Sequence, residues 1–404
     1  MSKKSVTIHA ILTTLSPLHI ASPETFRYEV SDSTGYGLVK NGTKGGIACA
    51  GIQRRRFAPG SVDGLDYGVA VIAANNIAGR LRRQGAQILV NVLREKNQKI
   101  TLQTYSAITC GAVTGKPDSR DLTFAEYKEV SSHPYVGLFG GGPRMLRRRM
   151  RVLDAVPVMD SLRSSGFSVG HPRGVGKATS GMNISRGAAF RRGDDVSALL
   201  DVDRMEGVVT DFEVQFNARQ RLIIEDQLAK DAEEKGSRNS TKAWSAFEFV
   251  DPGVDFDFTV ELTDVTDAQI GLFLLSLDGL AKTSIGGQTR NGLGRIRLND
   301  VAIAINTGDN VDVTDTIFNN NSLIKADPSI AVYLNAWKIA ASELSGERLD
   351  AIMKPPVIAT DEEKAAKAVD KERKAEEKAL KAAEEKAAKA LEKEAKAAAK
   401  KLAR

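Results

Sequence analysis

Residues Thr266 to Ile305 read TDAQIGLFLLSLDGLAKTSIGGQTRNGLGRIRLNDVAIAI, a helix, a glycine-rich turn and a strand in that order. Ile270, Leu274, Leu277 and Leu280 recur at helical spacing behind a threonine cap, so the pattern predicts a helix over Asp267 to Ala281. Ile296 to Ile305 then reads as a strand. Between them, GGQTRNGLGR carries Gly286, Gly287, Gly292 and Gly294, which permit positive φ and close backbone approach. Its amide groups could face an anion while Arg290 and Arg295 supply charge; a helix C-cap and a tight turn would account for only one of the glycines. A dinucleotide fingerprint is excluded, because there the glycines open a helix after a strand.

Working outward, Val6 to Leu15 predicts a strand ending at Ser16-Pro17, and an irregular glycine-rich loop is expected to about residue 70. Ile77, Leu81, Ile88 and Val92 predict a helix through Arg94, with Arg80, Arg83 and Gln87 on another face and Asn75 and Asn76 as N-caps. Residues 100–135 read as an inserted mixed element, Arg151 to Met159 as a strand, and 161–193 as a long Gly/Ser/Arg segment. Val208 to Phe216 alternates, Arg219 to Glu234 is amphipathic and Ala246 to Val250 is apolar, which suggests a protruding arm. Phe256 to Leu262 is a further strand. Strands and helices alternating loosely around long insertions favour a ferredoxin-like α+β core over a regular parallel sheet.

The 404 residues suit two or three domains, or one elaborated domain. With 42% apolar and 27% charged residues, most of the chain can bury a core. Two cysteines and four histidines exclude a disulfide framework and a zinc ribbon, and a reduced cytoplasm is the expected compartment. No leader with a convincing cleavage site opens the chain and no run of 18 apolar residues occurs, so no membrane partner is expected. The net charge of +6 hides a strong asymmetry: residues 140–192 hold 11 basic and 2 acidic groups, residues 193–270 hold 7 and 19. The first 360 residues contain 27 Arg and 16 Lys, whereas the last 44 contain 2 and 12. Arginine grips phosphate with a planar fork, so the body reads as the phosphate-binding part. From Asp361 the chain is almost wholly Ala, Lys and Glu, and predicts a solvated helix beyond a linker at residues 351–360.

Three further motifs bear on chemistry. RMLRRRMR places Arg144, Arg147, Arg148, Arg149 and Arg151 in eight positions without an interleaved acid, which together with Arg54, Arg55 and Arg56 points to nucleic acid over a solvated basic surface. Asn75, Asn76, Arg80 and Arg83 combine a helix N-terminus with guanidinium groups, an ordinary phosphate seat, although capping alone also explains the asparagines. GHPRGVGKAT, Gly170 to Thr179, is not a phosphate loop: five residues separate its outer glycines and Ala178 replaces the hydroxyl that would hold magnesium. His9, His19, His133 and His171 are expected to be structural, and Asp194, Asp195, Asp201 and Asp203 to form a solvated turn. No metal or cofactor is expected, and Asp32 is the one carboxylate worth watching.

Four segments in this order resemble the RAMP superfamily of CRISPR-associated proteins, in particular its seventh-family backbone subunits: the opening strand with LSPLHIAS, AVIAANNIAGRLRR, VGLFGGGPRMLRRRMRVLDAVPV, and the last helix with IGGQTRNGLGRIRL. The likeness spans roughly residues 5–305, and its GLFGGGP wording looks most like the type IV subunit. It implies an RNA-recognition-type palm (1–90, 136–210, 246–310), fingers (91–135) and a thumb (211–245), followed by an extension and linker (311–360) and the helical tail (361–404). It also implies a non-catalytic homo-oligomeric filament on guide RNA, with target nucleic acid, other CRISPR effector subunits and a helicase as partners. By position, Asn75, Asn76, Arg80 and Arg83 would meet RNA, and Gly286, Gly287, Arg290 and Arg295 would form the glycine loop. The acidity of the thumb departs from a purely RNA-binding role and suggests contact with the basic face of the next subunit. Some type III relatives cut target RNA with an aspartate after the first strand; Asp32 lies there, but EVSDSTG does not match their wording. A metal-dependent endoribonuclease using Asp32 and a general RNA scaffold are the rival readings.

Overall fold

The computed structural model describes residues 3–31, 37–40, 47–56, 68–111, 122–142, 146–179, 184–191, 210–218, 221, 244–306, 311–314 and 317–353. Two compact units are separated, Met1–Lys354 and Pro355–Arg404, and the described residues lie in the first. Asp32, Arg144, the 194–203 acidic cluster, residues 222–234 of the arm and the tail from Asp361 lie outside them.

In chain order the strands are β1 (Lys4–Thr14), β2 (Ala21–Ser31), β3 (Gly37–Lys40), β4 (Ile47–Ile52), β5 (Arg54–Arg55), β6 (Val69–Ala70), β7 (Met150–Val152), β8 (Val156–Pro157), β9 (Ser185–Arg191), β10 (Trp244–Val250), β11 (Asp255–Val265), β12 (Ile296–Asn306) and β13 (Val311–Thr314). The helices are α1 (Ala74–Glu95), α2 (Leu102–Cys110), α3 (Phe124–Ser132), α4 (Val136–Phe139), α5 (Asp160–Ser164), α6 (Asp267–Ala281), α7 (Pro328–Ser342) and α8 (Gly346–Met353).

The main sheet has the order β13-β12-β1-β11-β7, antiparallel throughout, with β8 also paired to β11. Its path β1-α1-β7-β11-α6-β12 is the βαββαβ pattern of a ferredoxin-like fold, expanded by insertions. Strand alternation sets the two faces. Val6, Ile8, Ala10 and Leu12 of β1 and Phe256, Phe258, Val260 and Leu262 of β11 are buried on the helix-covered face. Each large side chain buried there contributes about 1.5–3 kcal/mol. Helix α1 turns its stripe of Ile77, Leu81, Gly85, Leu89 and Leu93 to the core. Thr266 and Gln269 form a reciprocal capping box at the start of α6, as the threonine led one to expect. Helix α6 is apolar nearly all round because α1 and the sheet enclose it on one side and α7 on the other. At Gly271 an added Cβ would lie 2.1 Å from the Tyr333 carbonyl oxygen, so glycine sets how closely α7 approaches.

A second sheet runs β3-β2-β4-β10-β9, with β4 and β10 parallel through Ala246 opposite Cys49 and Phe247 opposite Ala50. It corrects the expected irregular loop to residue 70: β2 pairs with its sequence neighbours β3 and β4, and β4 joins the distant β10 in parallel. The alternation at 208–216 also misled: residues 212–218 are helical, and Phe212 and Phe216 touch four residues apart at 5.4 Å between ring centroids. A period of two and a helical i, i+4 pair coincide at that spacing. The region expected as extension and linker contributes β13, α7 and α8 to the body, and Met353 packs beside Gly142.

Candidate nucleic-acid interface

Backbone hydrogen bonds draw the sequence motifs together at one end of the main sheet. The N–H of Gly287 donates to the carbonyl of His19, and that of Gly294 to Pro17, both at 2.8 Å. The N–H of Gln53 donates to Ile20, and that of Val71 to Gln53, which leads directly into α1. Gln84 of α1 lies against Gly279, near the end of α6, so the earlier turns of α1 run toward the glycine loop.

Glycine is required here by crowding. Gly294 has φ +80° and its missing Cβ would sit 1.9 Å from the Ile285 carbonyl oxygen; Gly286, at φ +79°, is similarly placed 2.4 Å from that of His19. The Gly287 and Gly294 amides are therefore occupied by protein carbonyls, and the loop's capacity for an anion rests on its side chains. Arg290, Arg295 and the neighbouring Arg297 are exposed, and among the described residues none has a carboxylate partner.

Arg80, half-buried, and Arg83, exposed, on the second and third turns of α1 likewise lack a carboxylate partner among the described residues. Burial, followed by the charge of Arg83, lowers the pKa of Arg80, the signature of a guanidinium held half-buried without a counter-charge. Asn75 and Asn76 are not caps: the N-cap is Ala73, and both asparagines lie inside the first turn. The Asp154 carboxylate caps instead, accepting from the Ala74 N–H at 2.8 Å and from Arg55 Nε at 2.5 Å. A carboxylate already occupies the donor that a phosphate would take at this helix start.

Arg54 departs furthest from the phosphate-reading expectation. Its guanidinium holds Glu248, whose carboxylate is 5% exposed, through Nη1 at 2.8 Å and through a second, shorter contact from Nη2. The Ile52 N–H and the Ser185 hydroxyl donate to the same carboxylate at 3.1 and 3.2 Å. Burial pushes the Glu248 carboxyl up, but Arg54 with these donors outweighs it and holds it below the ordinary carboxylate range. Arg54 thus joins β5 to the second sheet.

The RMLRRRMR segment divides in the same way. Arg147 and Arg148 are exposed and, among the described residues, lack a carboxylate partner. Arg149 donates to the Asp264 carbonyl, and Arg151 makes a 3.3 Å surface pair with Glu261. Sequence reasoning passed over Arg82, which is largely buried, donates to the Phe139 carbonyl at 2.5 Å and is flanked by Gly111 and Gly141. Its position in GRLRR, on a different helix face from Arg80 and Arg83, was the available signal.

The face of the main sheet away from the helices is no stacking platform. Its β1 and β11 positions are Thr7, His9, Ile11, Thr13, Asp255, Asp257, Thr259 and Glu261, without Phe, Tyr or Trp and with net negative charge. Residues 160–179 lie across it. Arg163 grips Asp257 at 2.6 and 2.9 Å, Ser168 donates to Asp257 at 2.6 Å, and the Lys177 N–H donates to Asp255 at 2.7 Å. The basic loop Gly170 to Thr179 is therefore a strap over the sheet. The four histidines have structural partners: His9 meets Thr259, His19 donates to the Glu248 carbonyl, His171 donates to the Asp300 carbonyl, and His133 accepts from the Tyr135 and Val136 N–H groups. No helix among the described residues is long and apolar enough to cross a membrane.

A family model described as the RAMP superfamily matches residues 11–297. No curated protein matches the chain. Among solved structures, a chain titled as part of a type IV-B CRISPR complex is similar at 16% identity and a TM-score of 0.42, over 81% of this chain and 96% of that one.

Proposed function

Because the chain belongs to the RAMP superfamily, we propose that it is a non-catalytic backbone subunit of a type IV CRISPR ribonucleoprotein, polymerising along guide RNA and leaving bases exposed for pairing with target. The observation that carries this reading is the set of guanidinium groups at one end of the palm, Arg80, Arg83, Arg290, Arg295 and Arg297, with no carboxylate partner among the described residues. Uncompensated arginines on rigid elements suit a sequence-tolerant grip on phosphate, where affinity comes from released counterions. The CRISPR assignment and the type IV reading rest on the wording of GLFGGGP and the order of the four motifs. The non-catalytic part is supported by EVSDSTG around Asp32, which does not match the wording of the relatives that cut.

Contacts between subunits would bring the basic segment around Arg147 and Arg148 against the acidic arm of the next copy, and other effector subunits and a helicase would complete the assembly. Purification from cells expressing a repeat array should yield an RNA-bound oligomer, visible as a filament by negative stain. A clean monomer without nucleic acid or affinity for guide RNA would overturn the proposal. Cleavage of complementary RNA with magnesium or manganese, lost in Asp32→Ala, would overturn its non-catalytic part.

A further inference from the structure

A slot built from glycines holds Arg82, and none of the roles above uses it. Nη1 of Arg82 lies 2.1 Å from where a Cβ on Gly111 would stand and 2.5 Å from where one on Gly141 would, so a side chain at either position would displace the guanidinium. Both glycines have positive φ, +67° and +97°. Arg82 and the two glycines are part-exposed, so solvent reaches the slot. Nη2 donates to the Phe139 carbonyl, and among the described residues Nε and Nη1 have no acceptor. The neighbouring Tyr135 phenol donates to the Ile108 carbonyl at 2.5 Å and is held above its ordinary pKa by burial, so it supplies no counter-charge. On the other side of the glycine turn, a Cβ on Gly140 would lie 2.7 Å from the Arg148 nitrogen, and Gly141 and Leu146 exchange backbone hydrogen bonds of 2.8 and 3.2 Å. This turn brings Arg148 beside Arg82: burial, and further the charge of Arg148, lower the pKa of Arg82. Two guanidinium groups thus meet without an acid to compensate them, an arrangement that costs free energy until an anion joins it.

We propose that Arg82 and Arg148 together hold one phosphate of a bound single-stranded RNA, where the strand passes from α1 to the RMLRRRMR segment. At ~100° per residue, Arg80, Arg83 and Arg82 follow one another around α1, about 60° and then about 100° apart. Arg80 and Arg83 share the outward face, and Arg82 stands where α1 adjoins α2 and the glycine turn. A strand that leaves Arg83 in this direction meets its next cation at the slot. Two forks from different elements suit a tetrahedral oxyanion with several acceptor lone pairs, and its arrival relieves their mutual repulsion. The pair joins the two basic groups of the sequence, on α1 and in RMLRRRMR, into one path. This inference rests on the RNA-binding reading above.

The test uses the full chain and a single-stranded RNA oligonucleotide. Cys110 directly precedes Gly111 and is exposed, whereas Cys49 is buried and burial pushes its thiol up to about 12, so azidophenacyl bromide labels Cys110 selectively. Irradiation of the labelled complex should crosslink RNA to Cys110. Arg82→Met should weaken RNA binding roughly tenfold and lower the slope of log affinity against log salt by about one. Arg148→Gln, at an exposed position, should weaken it without loss of fold. The double variant should lose little more than Arg82→Met, because both groups serve one phosphate. If RNA binds but does not crosslink to Cys110, and both single variants keep the wild-type salt slope, the proposal falls and the RNA-binding reading stands. If the chain binds no RNA, both fall. A lower melting temperature of Arg82→Met at an unchanged salt slope would leave Arg82 as a structural donor to Phe139 and overturn the proposal. So would stabilisation by inorganic phosphate that needs Arg82 but comes without an RNA crosslink, the mark of a free-anion site. Shorter oligomers of the double variant at an unchanged salt slope would place a carboxylate of a second copy in the slot and overturn it too.

Discussion

Replacing Arg54 by Met should destabilise the protein while leaving its grip on RNA intact. The substitution removes the partner of a carboxylate that is 5% exposed and keeps only the Ile52 N–H and the Ser185 hydroxyl as donors. Breaking one side of a buried ion pair costs about 3–5 kcal/mol, since the remaining charge is left in a medium that solvates it poorly. The pH dependence has a definite sign. In the wild type Glu248 is held below its ordinary value, so the pair's contribution is complete above the unfolded carboxylate pKa and disappears as pH falls through the folded one. In Arg54→Met burial acts with little opposition and raises the folded value, so the penalty is largest near neutrality and shrinks in acid. Urea unfolding at pH 7 and at pH 5 reads both effects, and Glu248→Gln in the Arg54→Met background should recover part of the loss. Guide-RNA affinity at low temperature should keep its wild-type salt slope. Wild-type stability together with a salt slope reduced by about one would show that Arg54 grips phosphate, and the reasoning would be wrong.

The double variant Arg80→Ala, Arg83→Ala should fold normally and lower the salt slope of RNA binding by about two, read from filter binding over a salt series. Gly294→Ala should strain the glycine loop far more than Gly292→Ala, because both have φ near +80° but only Gly294 meets backbone at 1.9 Å; hydrogen exchange of the Ile285 and Gly294 amides would report it. Burial, with the Arg348 charge, lowers His133 to about 4, and its Nδ1 accepts two backbone N–H groups that an imidazolium could not satisfy. Stability should therefore fall by up to about 3 kcal/mol as pH drops from 6.5 to 4, and His133→Asn, which keeps an acceptor without titrating there, should flatten that dependence in urea melts.

What could be read from the sequence followed range. Helices α1 and α6 were legible because their stripes, Ile77 and Leu81 or Ile270 and Leu274, are local and periodic. The central strand was legible because Val6, Ile8 and Leu12 alternate within one segment. The second sheet was not: β2, β3 and β4 pair close in sequence, but Pro23 and a run of glycines from Gly35 to Gly46 interrupt any alternation, and β4 finds its parallel partner β10 almost 200 residues on. Charge was the hardest to assign. Arg54 and Arg55 are neighbours of one residue type, yet one clamps the buried Glu248 and the other holds Asp154 at the rim of an open cleft, and only where those two acids fall in the fold separates them. Likewise, the strap at 160–179 read as a loose basic loop because its anchors, Asp255 and Asp257, lie on a distant strand.

The placement of β1 has a consequence for synthesis. Its neighbours on both sides are contributed late: Thr259 meets His9 across 250 residues and Asn299 meets Thr13 across 286. At ~5–20 residues per second, a ribosome leaves the strand without either neighbour for roughly 12 to 50 s. During that interval it presents two open edges and the apolar row of Val6, Ile8, Ala10 and Leu12, a template for wrong partners. Nascent chains halted before β11 should therefore be heavy users of holdase chaperones, and a shortened protein ending before Asp255 should accumulate in inclusion bodies, not as a smaller soluble palm.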